Sequence, residues 1–197
     1  MERLFRFLLI VVILVALASC GIFFAPIEGR WNINDSKNEL MTFRPIIDGY
    51  AYSSVPPWEG AAELLAYPEM KIILLRFDTA GFPDVVAASY LQLTVAPQPP
   101  TEGTVLSIYR IISAWDTATM SYAIANDPAK FYDGSTVATF TVPTSLYTGD
   151  HIQIPVTEVY SGDKDELSNG IIIYSSENVT FDSTETGTAP LLLVEPE

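Results

Sequence analysis

The chain has 197 residues, enough for one domain of ordinary size with a short appendage. Acids outnumber bases 24 to 10, a net charge of −14, which argues against nucleic acid, whose phosphates need a basic footprint. Hydrophobic residues make up 49% and charged residues only 17%, so the acidity does not signify disorder. A single cysteine, Cys20, excludes an intrachain disulfide, and with one histidine, His151, the usual zinc sites cannot be built.

The N-terminus carries Arg3 and Arg6, then an unbroken apolar run from Phe7 to Ala18. That length suits the apolar helix of a secretory signal and is short for a membrane span of roughly 20 residues. The run closes with Leu17, Ala18, Ser19, Cys20 and Gly21. This resembles the bacterial lipobox, a branched apolar residue and two small residues before the cysteine. The resemblance implies a signal peptide over 1–19, cleavage before Cys20 and a diacylglyceryl group on its thiol. The competing reading is an uncleaved anchor, since the apolar run stretches to Phe24. Residues 20–41 read as a tether and lead-in, broken by Pro26 and Gly29.

From Thr42 the chain alternates short β-rich runs with Gly, Pro, Asn and Asp clusters. Ile47–Ser53 alternates with period two, and Pro56 and Pro57 end it, leaving Trp58 in a loop. Glu63–Tyr67 stops at Pro68. Met70–Phe77 is the most strand-like run, apolar on both sides, and so predicts a central strand covered above and below. Arg76 within it is the exception. A buried guanidinium needs a partner, and a fixed core ion pair with Asp48 or Asp116 is expected. Strands follow at Ala88–Val95, Thr104–Ser113, Thr136–Val142, His151–Val156, Gly170–Ser175, Val179–Asp182 and Leu191–Glu195. No segment keeps a helical period; Asn126–Lys130 and Thr157–Tyr160 make single turns at most. About ten short strands at regular spacing predict an all-β fold, a two-sheet antiparallel β-sandwich, jelly-roll-like, over 42–197. Ile73, Leu75, Phe77, Leu91, Leu93 and Ile111 are expected to share one core.

These strands carry a second resemblance. TFRPIIDGYAYSS, with Asp48 in the acidic place, precedes Leu74-Leu75-Arg76-Phe77-Asp78, then ASYLQLTV from Ala88. Trp115 and Asp116 follow with Ala118, Thr119 and Ser121, then Asn169-Gly170 before Ile171, and a closing strand from Pro190 to Val194. In this order the body resembles the DNRLRE-type β-sandwich domain, related to a family of carbohydrate-binding modules, some of them alginate-binding. It departs from that pattern at Tyr122, where a second tryptophan often stands, and at Trp58-Glu59-Gly60, where Asn-Tyr-Gly is common. The resemblance implies non-catalytic polysaccharide binding at the cell surface.

Aromatic rings can be sugar platforms, since a pyranose offers an apolar C–H face to a flat ring, but the same residues build cores. Trp58, Tyr67 before Pro68, and Tyr147 before a Gly-Asp turn are the candidates for carbohydrate contact; Trp115 reads as core. Asp163, Asp165 and Glu166 offer hard oxygen ligands for a structural calcium, although their spacing is not that of an EF-hand loop. His151, beside Asp150, reads as a strand-end residue. No nucleophile elbow, P-loop or dinucleotide glycine pattern is present, and chance pairing among this many acids makes a glycosidase pair weak evidence. The rival functions are a structural or adhesive surface protein that binds another protein, and a polysaccharide lyase or hydrolase. The lipobox resemblance implies a place in the cell envelope: at the outer membrane of a diderm, because Gly21 and not aspartate follows Cys20, or on the outer face of a monoderm plasma membrane.

Overall fold

A computed structural model describes residues 39–52, 55–59, 61–160 and 167–197, with the backbone alone at 55–59, 136 and 137. Cys20, the signal segment and the acidic loop at Asp163, Asp165 and Glu166 lie outside the described residues. Two antiparallel sheets form the body. In the first, β1 (Met41–Phe43), β12 (Leu191–Pro196), β6 (Val86–Thr94) and β9 (His151–Pro155) lie in that order. The second runs β3 (Val55–Glu59), β2 (Pro45–Tyr52), β5 (Lys71–Phe77), β10 (Ile171–Ser175), β7 (Val105–Ile111), β8 (Tyr132–Thr141). A small pair, β4 (Glu63–Ala66) with β11 (Val179–Asp182), bridges back to the first sheet through Val95 and Phe181. The expected antiparallel β-sandwich is what the chain forms. The described residues fall within one compact unit, Lys37–Glu197.

Period two sorts the central strands onto two faces. Ile73, Leu75 and Phe77 point between the sheets and pack with Leu91, Leu93, Ile108 and Ile171. Ile72 and Leu74 point the other way, into a second cluster with Ile172, Trp115, Met120 and Phe131. That outer cluster is roofed by the excursion between β7 and β8, which contains the short helix α1 (Tyr122–Ala125), capped by Ser121. The doubly apolar run at Met70–Phe77 is therefore a strand covered on both faces. Ile111 is a correction. Leu106 and Ile108 face the inter-sheet core, and Ile111, three residues on, has the opposite parity and joins the outer cluster.

Two strands were not foreseen. β1 leads through Arg44 into β2, so one extended run passes from the first sheet to the second. β3 occupies the place of the loop expected at Pro56, Pro57 and Trp58. Its register pairs Val55 with Tyr52 and Trp58 with Tyr50, so the two prolines together oppose Ala51. A bulge on an edge strand tolerates residues that cannot donate to the ladder.

Connections gather at two ends. The β4–β5, β6–β7, β8–β9 and β10–β11 turns lie at one end, here the turn end. The β5–β6, β7–β8 and β9–β10 connections and the start of β1 lie at the other.

Candidate functional site

The turn end collects aromatic side chains. β4 returns into β5 through a tight turn in which Tyr67 N donates to Lys71 O at 3.0 Å and Lys71 N to Tyr67 O at 2.9 Å. Glu69 takes φ 60° to close it. This brings the Lys71 side chain back onto the Tyr67 ring, 4.7 Å from its centroid. Across β2, Tyr52 pairs directly with Lys71 and Tyr50 with Ile73, which places both tyrosines on the same face as the ammonium. Lys71 Nζ lies 4.9 Å from the Tyr50 ring and 5.5 Å from that of Tyr52. Three ring faces thus hold one cation. Burial, then the neighbouring Tyr67 and Glu63, raises the Tyr50 phenol above its ordinary value.

Tyr67 is half-buried, and its hydroxyl donates to Gln98 Oε1 at 2.5 Å. Gln98 is itself exposed, and its backbone is fixed by Thr180: Gln98 N donates to Thr180 Oγ1 at 2.8 Å, and Thr180 N to Gln98 O at 2.9 Å. The β8–β9 loop leans on the same β6–β7 segment. Gly149 N donates to Val95 O at 2.8 Å, and Tyr147 N to Asp150 Oδ2 at 2.8 Å. Tyr147, 75% exposed, therefore stands at the same end of the sandwich as Tyr67. Of the three ring residues expected to meet a sugar, Tyr67 and Tyr147 lie at this end. Trp58 is known by its backbone, opposite Tyr50 in the ladder.

Sequence reading missed Tyr50, Tyr52, Lys71 and Gln98. The pair Tyr50 and Tyr52, two apart on one strand, was a visible signal. Lys71 and Gln98 join only through the turn and a contact across 31 residues.

No protein-family model matches the chain, and no curated protein matches it.

The expected ion pair of Arg76 with Asp48 or Asp116 does not form. In the β2–β5 ladder Asp48 opposes Leu75 and Ile47 opposes Arg76, so Asp48 faces the inter-sheet core and Arg76 the outer cluster. Asp48, 5% exposed, accepts from Thr184 N and Thr184 Oγ1, both at 2.7 Å, and so clamps the β11–β12 connection to β2. Asp116 caps its own turn, accepting from Thr119 N at 2.9 Å and Thr119 Oγ1 at 3.0 Å. Arg76 Nη1 instead donates to the carbonyl of Trp115 at 3.0 Å. Trp115 is buried, as expected of a core residue.

A second tyrosine group, Tyr109, Tyr132 and Tyr174, lies on the outer face of the large sheet. Its rings meet at 51° to 87°, two pairs tilted and one edge to face, so they offer no flat platform. His151 is exposed and shares a hydrogen bond with Thr94 Oγ1 through Nδ1 at 3.0 Å. Among the described residues no three His, Cys, Asp or Glu side chains converge to hold a metal, and no helix is long and apolar enough to cross a membrane.

Proposed function

We propose that the turn end of the sandwich binds polysaccharide without catalysis, at the surface of a cell envelope to which a lipid on Cys20 holds the chain. The observation that carries this reading is the fixing of Tyr67. Its hydroxyl is held by Gln98 and one ring face by Lys71, so a sugar stacking on it costs little ordering entropy. The exposed Gln98 amide retains donors for a sugar hydroxyl, and exposed Tyr147 supplies a second ring at the same end. The resemblance to DNRLRE-type domains supports the same reading.

A glycan array probed with the unit from Lys37 onward tests the binding. Saturable binding to one polysaccharide class, lost in Tyr67→Ala and weakened in Tyr147→Ala, is expected. Saturable binding unaffected by both changes moves the site elsewhere, and release of products from a bound polysaccharide replaces binding by catalysis. Intact-mass analysis of the native chain tests the anchor: it should start at Cys20 with added lipid mass, and an unmodified chain starting at Met1 removes it.

A further inference from the structure

On the outer face of the large sheet, the β7–β8 excursion encloses a half-open cavity of about 360 Å³, within the usual range for small-molecule sites. Its apolar lining comes from Trp115, Met120 and Phe131, all buried, with Ile124, 48% exposed, forming part of the wall. Trp115 is held rigidly, with Arg76 over its ring and its indole N–H donating to Asn169 O at 2.7 Å. The lining is therefore preorganised. Asp127 and Lys130 add one charge of each sign, Lys130 Nζ lying 3.2 Å from Asp127 Oδ2.

The two charges are not equivalent. The Asp127 carboxylate is fixed, because its Oδ1 accepts from Ala129 N at 3.1 Å. That backbone bond, followed by the bond from Lys130, holds its pKa below the ordinary carboxylate value. The Lys130 side chain is 84% exposed, and a surface pair of this kind contributes little, so the lysine is free to swing away. The polar groups nearby are already engaged: Ser113 Oγ donates to Lys130 O, and Thr119 bonds Asp116. What the cavity offers a ligand is the exposed Ile124 and Ala123, with the small uncovered remainder of Trp115, Met120 and Phe131 behind them, beside one fixed carboxylate, in a chain of net charge −14 that draws cations toward it.

We propose that this cavity is a second binding site, apart from Tyr67 and Tyr147, for a small organic cation: a small apolar body seated against Ile124 and Ala123 over the uncovered part of Trp115, with a protonated amine on Asp127 in place of Lys130.

The test uses the full chain in lipid nanodiscs with ¹⁵N-labelled tryptophan. The Trp115 indole N–H resonance is assigned by removing Trp31 and Trp58. Phenethylammonium is the probe, and phenylacetate its charge-inverted control. A saturable shift of the Trp115 resonance with the amine, and at most a much weaker one with the acid, is expected. Asp127→Asn should weaken the amine roughly fivefold and Lys130→Ala, which removes the internal competitor, should tighten it. Ala123→Phe, at an exposed position lining the cavity, should fill it and abolish the shift without touching the core. Absence of a saturable shift, equal binding of phenylacetate, or binding that survives both Ala123→Phe and Asp127→Asn overturns the proposal.

Discussion

Arg76 lies over the indole of Trp115, its guanidinium carbon 5.3 Å from the ring centroid, and donates to the carbonyl of that same residue. The contact joins the central strand β5 to the excursion that roofs the outer cluster. It partners the cation with a π face and one backbone oxygen, where a carboxylate was expected, and leaves the buried Nε without a hydrogen-bond partner among the described residues. Arg76→Met retains an unbranched apolar side chain and loses both polar contacts. It should lower unfolding free energy by roughly 1–2 kcal/mol in urea titration. Because no carboxylate is involved, the loss should be the same at low and high salt. A loss that disappears at high salt would restore the ion-pair account.

Gly170 is fixed by the same neighbourhood. Its φ is +87°, and a Cβ there would lie 2.1 Å from Leu75 O and 2.8 Å from the Arg76 Cα, both rigid strand backbone. The adjacent Asn169 carbonyl receives the Trp115 indole, and Gly170 O accepts from Ile111 N at 3.0 Å. Gly170→Ala should therefore cost roughly 3–5 kcal/mol. Gly149, at φ +91° with nothing within 4 Å of its would-be Cβ, isolates the conformational part alone, and Gly149→Ala should cost about 1 kcal/mol. Equal midpoint shifts for the two alanines would refute the close-approach argument.

The pattern of legibility follows from range. Most strand positions, though not β1 or β3, and the two-sided burial of β5 were visible because period two and turn residues are local signals. Trp115, Arg76 and Asn169-Gly170 were each conspicuous in the sequence, yet their convergence was not. It depends on the register of β5 against β10 and on the path of a 20-residue excursion, neither of which a local pattern fixes. Asp48 shows the same limit. Its partner Thr184 is 136 residues away, and one step of parity decides which face the carboxylate serves. At the turn end, Tyr67 and Tyr147 were legible as rings beside turn residues, while the Lys71 contact with three tyrosines needed the hairpin geometry.

The separation of the two apolar clusters makes a quantitative claim. Leu75 is fully buried between the sheets, and Ile111 is fully buried on the other side of the large sheet. Each truncation to alanine should cost roughly 2–5 kcal/mol. Since the side chains lie on opposite faces and share no cluster, the double variant should lose the sum within about 0.5 kcal/mol. A coupling well above that, measured by urea denaturation at unchanged m-value, would mean that the two clusters behave as one.

Tyr160 sets an alkaline limit on stability. It is 1% exposed, packed edge-on to Phe77 with ring centroids 6.1 Å apart, and its hydroxyl has no hydrogen-bond partner among the described residues. Burial alone raises its pKa well above the ordinary 10.0. With the folded pKa raised, the folded chain keeps its proton where the unfolded chain releases it. The contribution is thus complete below about pH 10 and is lost as pH rises beyond the unfolded value. One such group steepens the decline by up to ~1.4 kcal/mol per pH unit. Tyr174, raised first by burial and then by its bond with Tyr132, acts in the same direction. Tyr160→Phe removes a buried hydroxyl that spends no hydrogen bond within the described structure, so stability at neutral pH should be unchanged or higher by up to ~1 kcal/mol. Its alkaline unfolding curve, followed by tyrosinate absorbance and circular dichroism, should be shallower than that of the parent by one proton. A parent-like alkaline slope, or a loss above ~2 kcal/mol at neutral pH, would show that the hydroxyl is partnered and that another group sets the limit.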